Sequence, residues 1–211
     1  MLRVAVKMPT APGRVGDYLA DVIALETAGA DSIWLDARTA ASTEPWILLG
    51  AMAAVTHRVR LGITVGAAAG WRAAVDTLGR LSSGRVVVGM RPGRDTKALV
   101  EELKSSTGLL PSILLTCITY GEAERSALLA DGVILPGGED EVRALRSQEG
   151  DFGLWVDVSV PTDKAGWANM MAALEAAGAT GIVVPWDPRL IDLLRSAGEP
   201  DDRTDLLIAT G

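Results

Sequence analysis

Ala24-Leu25-Glu26-Thr27-Ala28-Gly29-Ala30-Asp31-Ser32-Ile33-Trp34-Leu35-Asp36 closes one element and opens another. Its first part is rich in good helix formers, Gly29 can end a helix in a left-handed cap, and Ser32 to Asp36 has the make-up of a short strand. Ala173-Leu174-Glu175-Ala176-Ala177-Gly178-Ala179 repeats the joint before a second β-branched run. Working outward, strands are predicted over 2–8, 32–36, 59–65, 85–91, 112–117, 132–136, 153–160 and 181–186. Helices are predicted over 17–28, 44–56, 72–81, 95–106, 121–129, 139–148, 163–177 and 188–196. Strict alternation at this spacing means βαβ units and a parallel sheet. Units repeated in this number predict an α/β fold, a compact (β/α)8 barrel of the TIM type, near the lower end of that fold's size range. A doubly wound open sheet competes, but the first turn, Met8-Pro9-Thr10-Ala11-Pro12-Gly13, lacks a GxGxxG pattern. No linker interrupts the pattern, so residues 1–211 read as one domain.

The chain has 211 residues, 48% of them apolar and 22% charged, with a net charge of −7. That is globular composition, and its sign argues against nucleic acid or an anionic membrane surface as partner. No apolar run is long enough to span a bilayer, and the start reads as a strand, not a signal peptide. Cys117 is the single cysteine, which excludes a disulfide framework and fits a reducing cytoplasm. With one cysteine and one histidine, no Cys/His metal set can form. Pro45 to Val55 carries no charged or strongly polar side chain. An outer barrel helix needs only one apolar stripe, so helix 44–56 reads either as a homodimer interface or as an Ala-rich, poorly amphipathic surface helix.

Active sites of such barrels lie at the C-terminal ends of the strands. Side-chain alternation sends Ala5 and Lys7, then Ser32, Trp34 and Asp36, then Gly62 and Thr64, into the barrel. The same parity points Arg91, Trp155, Asp157 and Ser159 inward. Lys7, Asp36, Thr64, Arg91, Asp157 and Ser159 would then share the upper interior, either as an ion-pair network that plugs it or as a pocket for a polar or anionic ligand. Arg91-Pro92-Gly93-Arg94-Asp95-Thr96-Lys97 puts three cations before a helix, which reads either as an anion or phosphate site or as solvated surface charge. Gly137 and Gly138, after strand six, read either as a place of close backbone approach to a ligand or simply as a turn. His57 falls at the N-terminal face, which removes histidine-based acid–base and nucleophile chemistry. Cys117 reads as a buried structural thiol. Trp34, Trp71, Trp155 and Trp186 fall near the upper barrel, either to stack on a planar ring or to fill space.

Several of these stretches resemble the bacterial luciferase-like monooxygenase superfamily. They are Glu26 to Asp36, Glu44 to Gly62, Thr77 to Gly89 and Ala130 to Ile134, in the family's order. The branch using the deazaflavin coenzyme F420 is most similar, and flavin-dependent members come next. The resemblance implies a (β/α)8 barrel, a dimer through the second and third helices, and hydride transfer to or from a small molecule. It also implies a non-proline cis peptide near Thr64-Val65. Coenzyme F420 or FMN would meet Thr64, Arg91, Gly93, Thr116, Thr119, Gly137 and Gly138. Asp36, Arg94 and Asp157 are the candidate catalytic groups, and Lys7, Arg38, Trp155 and Trp186 the candidate substrate contacts. The chain departs from the family pattern at Asp36-Ala37, where Asp-His is typical, and at Gly89-Met90-Arg91-Pro92-Gly93-Arg94 and Cys117-Ile118-Thr119. The family's insertion between strands four and five is reduced to Ser105 to Pro111. Two further readings therefore stand beside the oxidoreductase. One is a cofactor-free binding or interaction protein on the same scaffold. The other is a non-redox enzyme using Asp36, Asp157 and Lys7 as acid–base groups.

Overall fold

The computed structural model describes residues 2–38, 44–66, 70–106, 111–148 and 150–198. Eight parallel strands close on themselves in chain order. They are β1 (Arg3–Lys7), β2 (Ser32–Asp36), β3 (Arg60–Val65), β4 (Val86–Met90), β5 (Ser112–Thr116), β6 (Gly132–Pro136), β7 (Gly153–Asp157) and β8 (Gly181–Pro185). The helices that alternate with them are α1 (Val15–Ala28), α2 (Pro45–Val55), α3 (Trp71–Leu81), α4 (Thr96–Ser106), α5 (Tyr120–Ser126), α6 (Glu139–Arg146), α7 (Lys164–Ala177) and α8 (Leu190–Gly198). The compact (β/α)8 barrel is thus the observed fold. Gly29 and Gly178 end α1 and α7 at φ 98° and 97°, the left-handed caps that their echo announces.

β7 is shorter than the run 153–160. Val158 still donates to the Val183 carbonyl, but the chain then leaves the sheet toward Pro161 and leaves Ser159 exposed. β4 likewise stops at Met90, so Arg91 starts the loop and does not enter the barrel. No cis peptide occurs among the described residues. At Thr64-Val65 the ladder runs on unbroken to Gly89 and Met90, with no bulge to turn the backbone.

Strand alternation splits the apolar residues into two sets. Val4, Val6, Ile33, Leu35, Leu61, Ile63, Leu154 and Val156 face the helices in one continuous core. Inside the barrel a second, smaller set packs together: Ala5, Trp34, Val87, Leu114, Ile134, Trp155 and Val183. Two indoles dominate that interior, and glycines make room for them. A Cβ at Gly62 would stand 2.2 Å from Trp34 Cδ2, and one at Gly89 would stand 2.7 Å from Trp34 Cζ3. Trp155 lies lower, where a Cβ at Gly181 would meet its ring at 2.5 Å.

The α2–β3 turn is held from both sides. One Glu26 carboxylate oxygen accepts the amides of His57, Arg58 and Val59 at 2.6–2.9 Å. Burial alone would raise that carboxyl, but the three amides hold it below its ordinary value. The Arg85 guanidinium donates to the carbonyls of Val59, Thr56, Ala53 and Ser82, and so caps the end of α2.

Gly62→Ala should therefore destabilise the barrel by about 1–3 kcal/mol or more through overpacking. Adding Trp34→Phe, which shrinks the ring opposite, should recover part of that loss. Urea unfolding of both variants checks this, and a neutral Gly62→Ala would disprove the Trp34–Gly62 constraint.

Candidate functional site at the C-terminal mouth

The C-terminal ends of the strands carry two distinct spaces. On the barrel axis is a small cavity of about 90 Å³. Trp34 and Ile134 form apolar walls, and Lys7, Asp36, Thr64 and Thr116 supply polar ones. A larger pocket of about 470 Å³ lies beside it, over the ends of β3 and β4. Val65, Met90, Trp71 and Leu99 make its apolar side. Arg38, Arg91 and Arg94 make its cationic side, with the start of α4. Arg38 borders both spaces.

The charged groups at the axis are paired. Lys7 Nζ donates to Asp157 across the mouth. Asp36 takes the Arg38 backbone amide and Nε on one oxygen, both at 2.9 Å, and a terminal nitrogen on the other at 2.7 Å. Burial would raise the Asp36 carboxyl. The Arg38 hydrogen bonds outweigh it, with help from the charges of Arg38 and Lys7, and hold the group below its ordinary 3.8. Asp36 is therefore an anion at neutral pH and a poor proton donor. The same hook recurs after β8, where Asp187 takes the Arg189 amide, Nε and terminal nitrogen at 2.9, 2.9 and 2.7 Å. Both hooks follow the repeated helix–Gly–strand joint, so the Asp-x-Arg pattern extends that internal echo. It was present in the sequence as Asp36-Ala37-Arg38 and Asp187-Pro188-Arg189.

The remaining candidates divide by position. Thr64, 7% exposed, and Thr116 face the axial cavity. The Thr116 hydroxyl is buried without a hydrogen-bond partner. Arg91, Gly93 and Arg94 line the larger pocket, where the Gly93 amide donates to the Thr96 hydroxyl at 2.6 Å. Arg91 also lies 3.8 Å from Glu122. Thr119 caps α5, accepting from the Glu122 amide, while Glu122 takes the Ile118 amide at 2.8 Å. Glu141 takes the Gly138 amide at 3.0 Å and packs over Gly137. So the turns after β5 and β6 each hold a carboxylate of their own where a ligand's anion would sit. The spacing Thr119-x-x-Glu122 signals this in the sequence, because a glutamate three residues into a helix reaches back to the cap.

Trp155 is not at the mouth. Its ring lies among the first residues of the strands, with the Arg3 and Arg60 guanidinium carbons 4.9 and 5.7 Å from its centroid. The small Gly153 and Gly181 leave space below it, so it fills the N-terminal end. Trp186 follows β8 and packs against the outer core. His57 is exposed in the turn before β3, on the N-terminal side. Cys117 is 3% exposed, and burial pushes its thiol up to about 12, which leaves it inert. Among the described residues no group of acidic, histidine or cysteine side chains could hold a metal ion. Nor is any described helix long and apolar enough to cross a membrane.

Removing Arg38 should free the Asp36 carboxyl to titrate higher. Its depressed value means that ionised Asp36 contributes stability above its unfolded value, near 3.8, and that this is lost as pH falls through the folded value. In Arg38→Ala, a carboxyl-carbon NMR titration should show the Asp36 midpoint shifted upward and the acid-side stability loss beginning at higher pH. An unmoved midpoint would refute the hook as the cause.

The sequence matches no protein-family profile and no curated protein. Solved structures do match. The coenzyme F420-dependent tetrahydromethanopterin reductase from Methanopyrus kandleri superposes with a TM-score of 0.68 at 11% identity, covering 94% of this chain and 97% of that one. An F420-dependent secondary alcohol dehydrogenase superposes with a TM-score of 0.68 at 13% identity, covering 93% and 98%. Thiamine phosphate pyrophosphorylase from Pyrococcus furiosus superposes with a TM-score of 0.58 at 13% identity, covering 92% of both chains. Proteins with different chemistries therefore share this barrel, and the likeness establishes the fold.

Proposed function

We propose that this chain is a luciferase-like oxidoreductase that binds coenzyme F420 or FMN in the pocket over β3 and β4 and exchanges hydride with a small molecule. One observation carries the reading. The turn after β4 presents Arg91 and Arg94 beside a pocket of about 470 Å³, while the turns after β5 and β6 are closed by Glu122 and Glu141. Pocket volumes of this order suit a small-molecule cofactor, and paired guanidinium groups suit phosphate. The axial cavity, at about 90 Å³, does not fit a tricyclic ring, so the fitting space is off the barrel axis. When bound, the coenzyme supplies the hydride acceptor or donor. The chain's residues supply the setting: Arg91 and Arg94 hold the anionic end, Val65, Met90 and Leu99 exclude water, and Asp36 fixes Arg38 at the border of the two spaces. Positioning carries most of such catalysis, which accommodates the missing family histidine.

Titration of the purified protein with F420 and with FMN, followed by absorbance and fluorescence, should show saturable micromolar binding of one. Arg94→Ala should weaken it about tenfold or more. A second reading, a cofactor-free binding protein, is favoured by the two indoles and two ion pairs that occupy the barrel axis. Failure of both coenzymes to bind the folded protein would select it.

We also propose a homodimer through α2. Its inner side buries Leu48, Leu49 and Met52, yet Ile47 on the outer side is 72% exposed, and Leu81 at the end of neighbouring α3 is 63% exposed. A helix without charge on either side suits a second copy of itself better than water. Sedimentation should give a dimer at micromolar concentration and a monomer for Ile47→Asp; a monomeric wild type would rule the dimer out.

A further inference from the structure

We propose that the N-terminal end of the barrel, the face opposite the mouth, is a binding site for the carboxylate of a small organic acid. The site stands independently of the oxidoreductase reading. A pocket of about 220 Å³ opens there, between the first residues of β1, β5 and β7 and Thr180 just before β8. Its polar groups include donors left over once the protein's own hydrogen bonds are made. Trp155 is 2% exposed, yet its Nε1 donates to no described residue and, unlike Trp167 Nε1, keeps contact with the pocket. The other interior indole, Trp34, has its nitrogen satisfied by Ser32 Oγ at 2.9 Å. The Trp155 nitrogen stays uncovered because residue 153 is glycine: a Cβ there would stand 3.2 Å from it. Thr180 Oγ1 accepts from the Leu154 amide at 2.8 Å and from Arg146 at 3.2 Å, which leaves its own proton to give. A buried donor without an acceptor is costly, so donors that converge on one space ask for an acceptor in it.

Charge sets the class of that acceptor. Arg60 is paired with Asp31, and Asp131 spends its two oxygens on Lys104 Nζ and the Ile113 amide, at 2.6 and 2.8 Å. Arg3 and Arg146 have no carboxylate partner among the described residues. The Arg3 guanidinium carbon lies 4.9 Å from the Trp155 centroid. That of Arg146 lies 5.1 Å from the Phe152 centroid, with its nitrogens on the Gly178 and Phe152 carbonyls and Thr180. Against these two cations the pocket sets one acid without an ion pair, the exposed Asp151. Two cations against one acid, on a chain of net charge −7, suit a singly charged anion better than a doubly charged phosphate. A guanidinium fork matches a carboxylate, and Leu114 with the Phe152 and Trp155 rings gives its carbons an apolar wall. The volume is about seven waters' share of liquid, room for a carboxylate on a short carbon chain.

The test follows the indole N–H resonances of the full chain by NMR, with Trp155 assigned through its contact with Gly153. Butyrate is the probe, butyramide its neutral isostere and inorganic phosphate the doubly charged anion. The expected result is a saturable millimolar-range downfield shift of the Trp155 N–H with butyrate, while the Trp34 N–H stays in place. Butyramide and phosphate should each bind about tenfold more weakly or worse. Arg3→Gln removes no ion pair and no side-chain hydrogen bond, so it should weaken butyrate about three- to tenfold with the unfolding midpoint little changed. Gly153→Ala should abolish the shift by covering Nε1; where it does not fold, Arg3→Gln decides. Absence of a saturable shift, butyramide binding as well as butyrate, or unaltered binding in Arg3→Gln would each overturn the site. Phosphate binding as tightly as butyrate would overturn the carboxylate assignment.

Discussion

A ring of eight short strands encloses a space that only a few side chains can fill, and here two tryptophans fill most of it. Trp34 needs Gly62 and Gly89 beside it, and Trp155 needs Gly181. The geometry of the mouth follows from that packing. The upper indole leaves only a small polar chamber on the axis, so a ring-sized ligand must lie to one side, over β3 and β4. Trp34→Ala would cost about 3–5 kcal/mol of core stability and would also remove the wall that separates chamber from interior.

The second constraint is electrostatic. Two acids and two bases near the mouth cannot remain single in a partly dry space, and they do not. Lys7 meets Asp157, and Arg38 meets Asp36. The recurrence of the Asp36–Arg38 geometry at Asp187–Arg189 marks it as a local hook that orients an arginine after a strand. Acid–base work by Asp36 would require breaking that hook first.

The barrel was legible in the sequence because its signals are local and repeated. The helix–Gly–strand joints at Gly29 and Gly178 predict their own backbone angles, and β-branched runs alternate in step with the pleat. Inner and outer faces of β1, β2, β3 and β7 followed from parity. What misled was range. Val158 and Val160 read as a continuing strand, and Trp155 read as an upper residue, because alternation gives a side but not a height. The height of a ring depends on where glycines leave room for it, as Gly153 does at the start of its own strand and Gly181 at the start of neighbouring β8. The conspicuous motifs around Thr56 to Arg60 and Arg85 turn out to be hardware for one turn, held by Glu26 and Arg85. The candidate site was half legible: Arg91, Gly93 and Arg94 share a pocket with Trp71, one of the tryptophans read near the upper barrel, whereas Met90 and Leu99 gave no signal, being ordinary apolar residues until the loops bring them together.

Glu122 and Glu141 have a consequence for selectivity. Each carboxylate is tethered by the backbone to the amide it occupies, so its effective concentration there is far above that of any dissolved anion. A phosphate reaching either turn would have to displace a carboxylate that is already attached there. The turns after β5 and β6 are in this way less open to an incoming anion than the turn after β4, whose Gly93 amide meets only the neutral Thr96 hydroxyl.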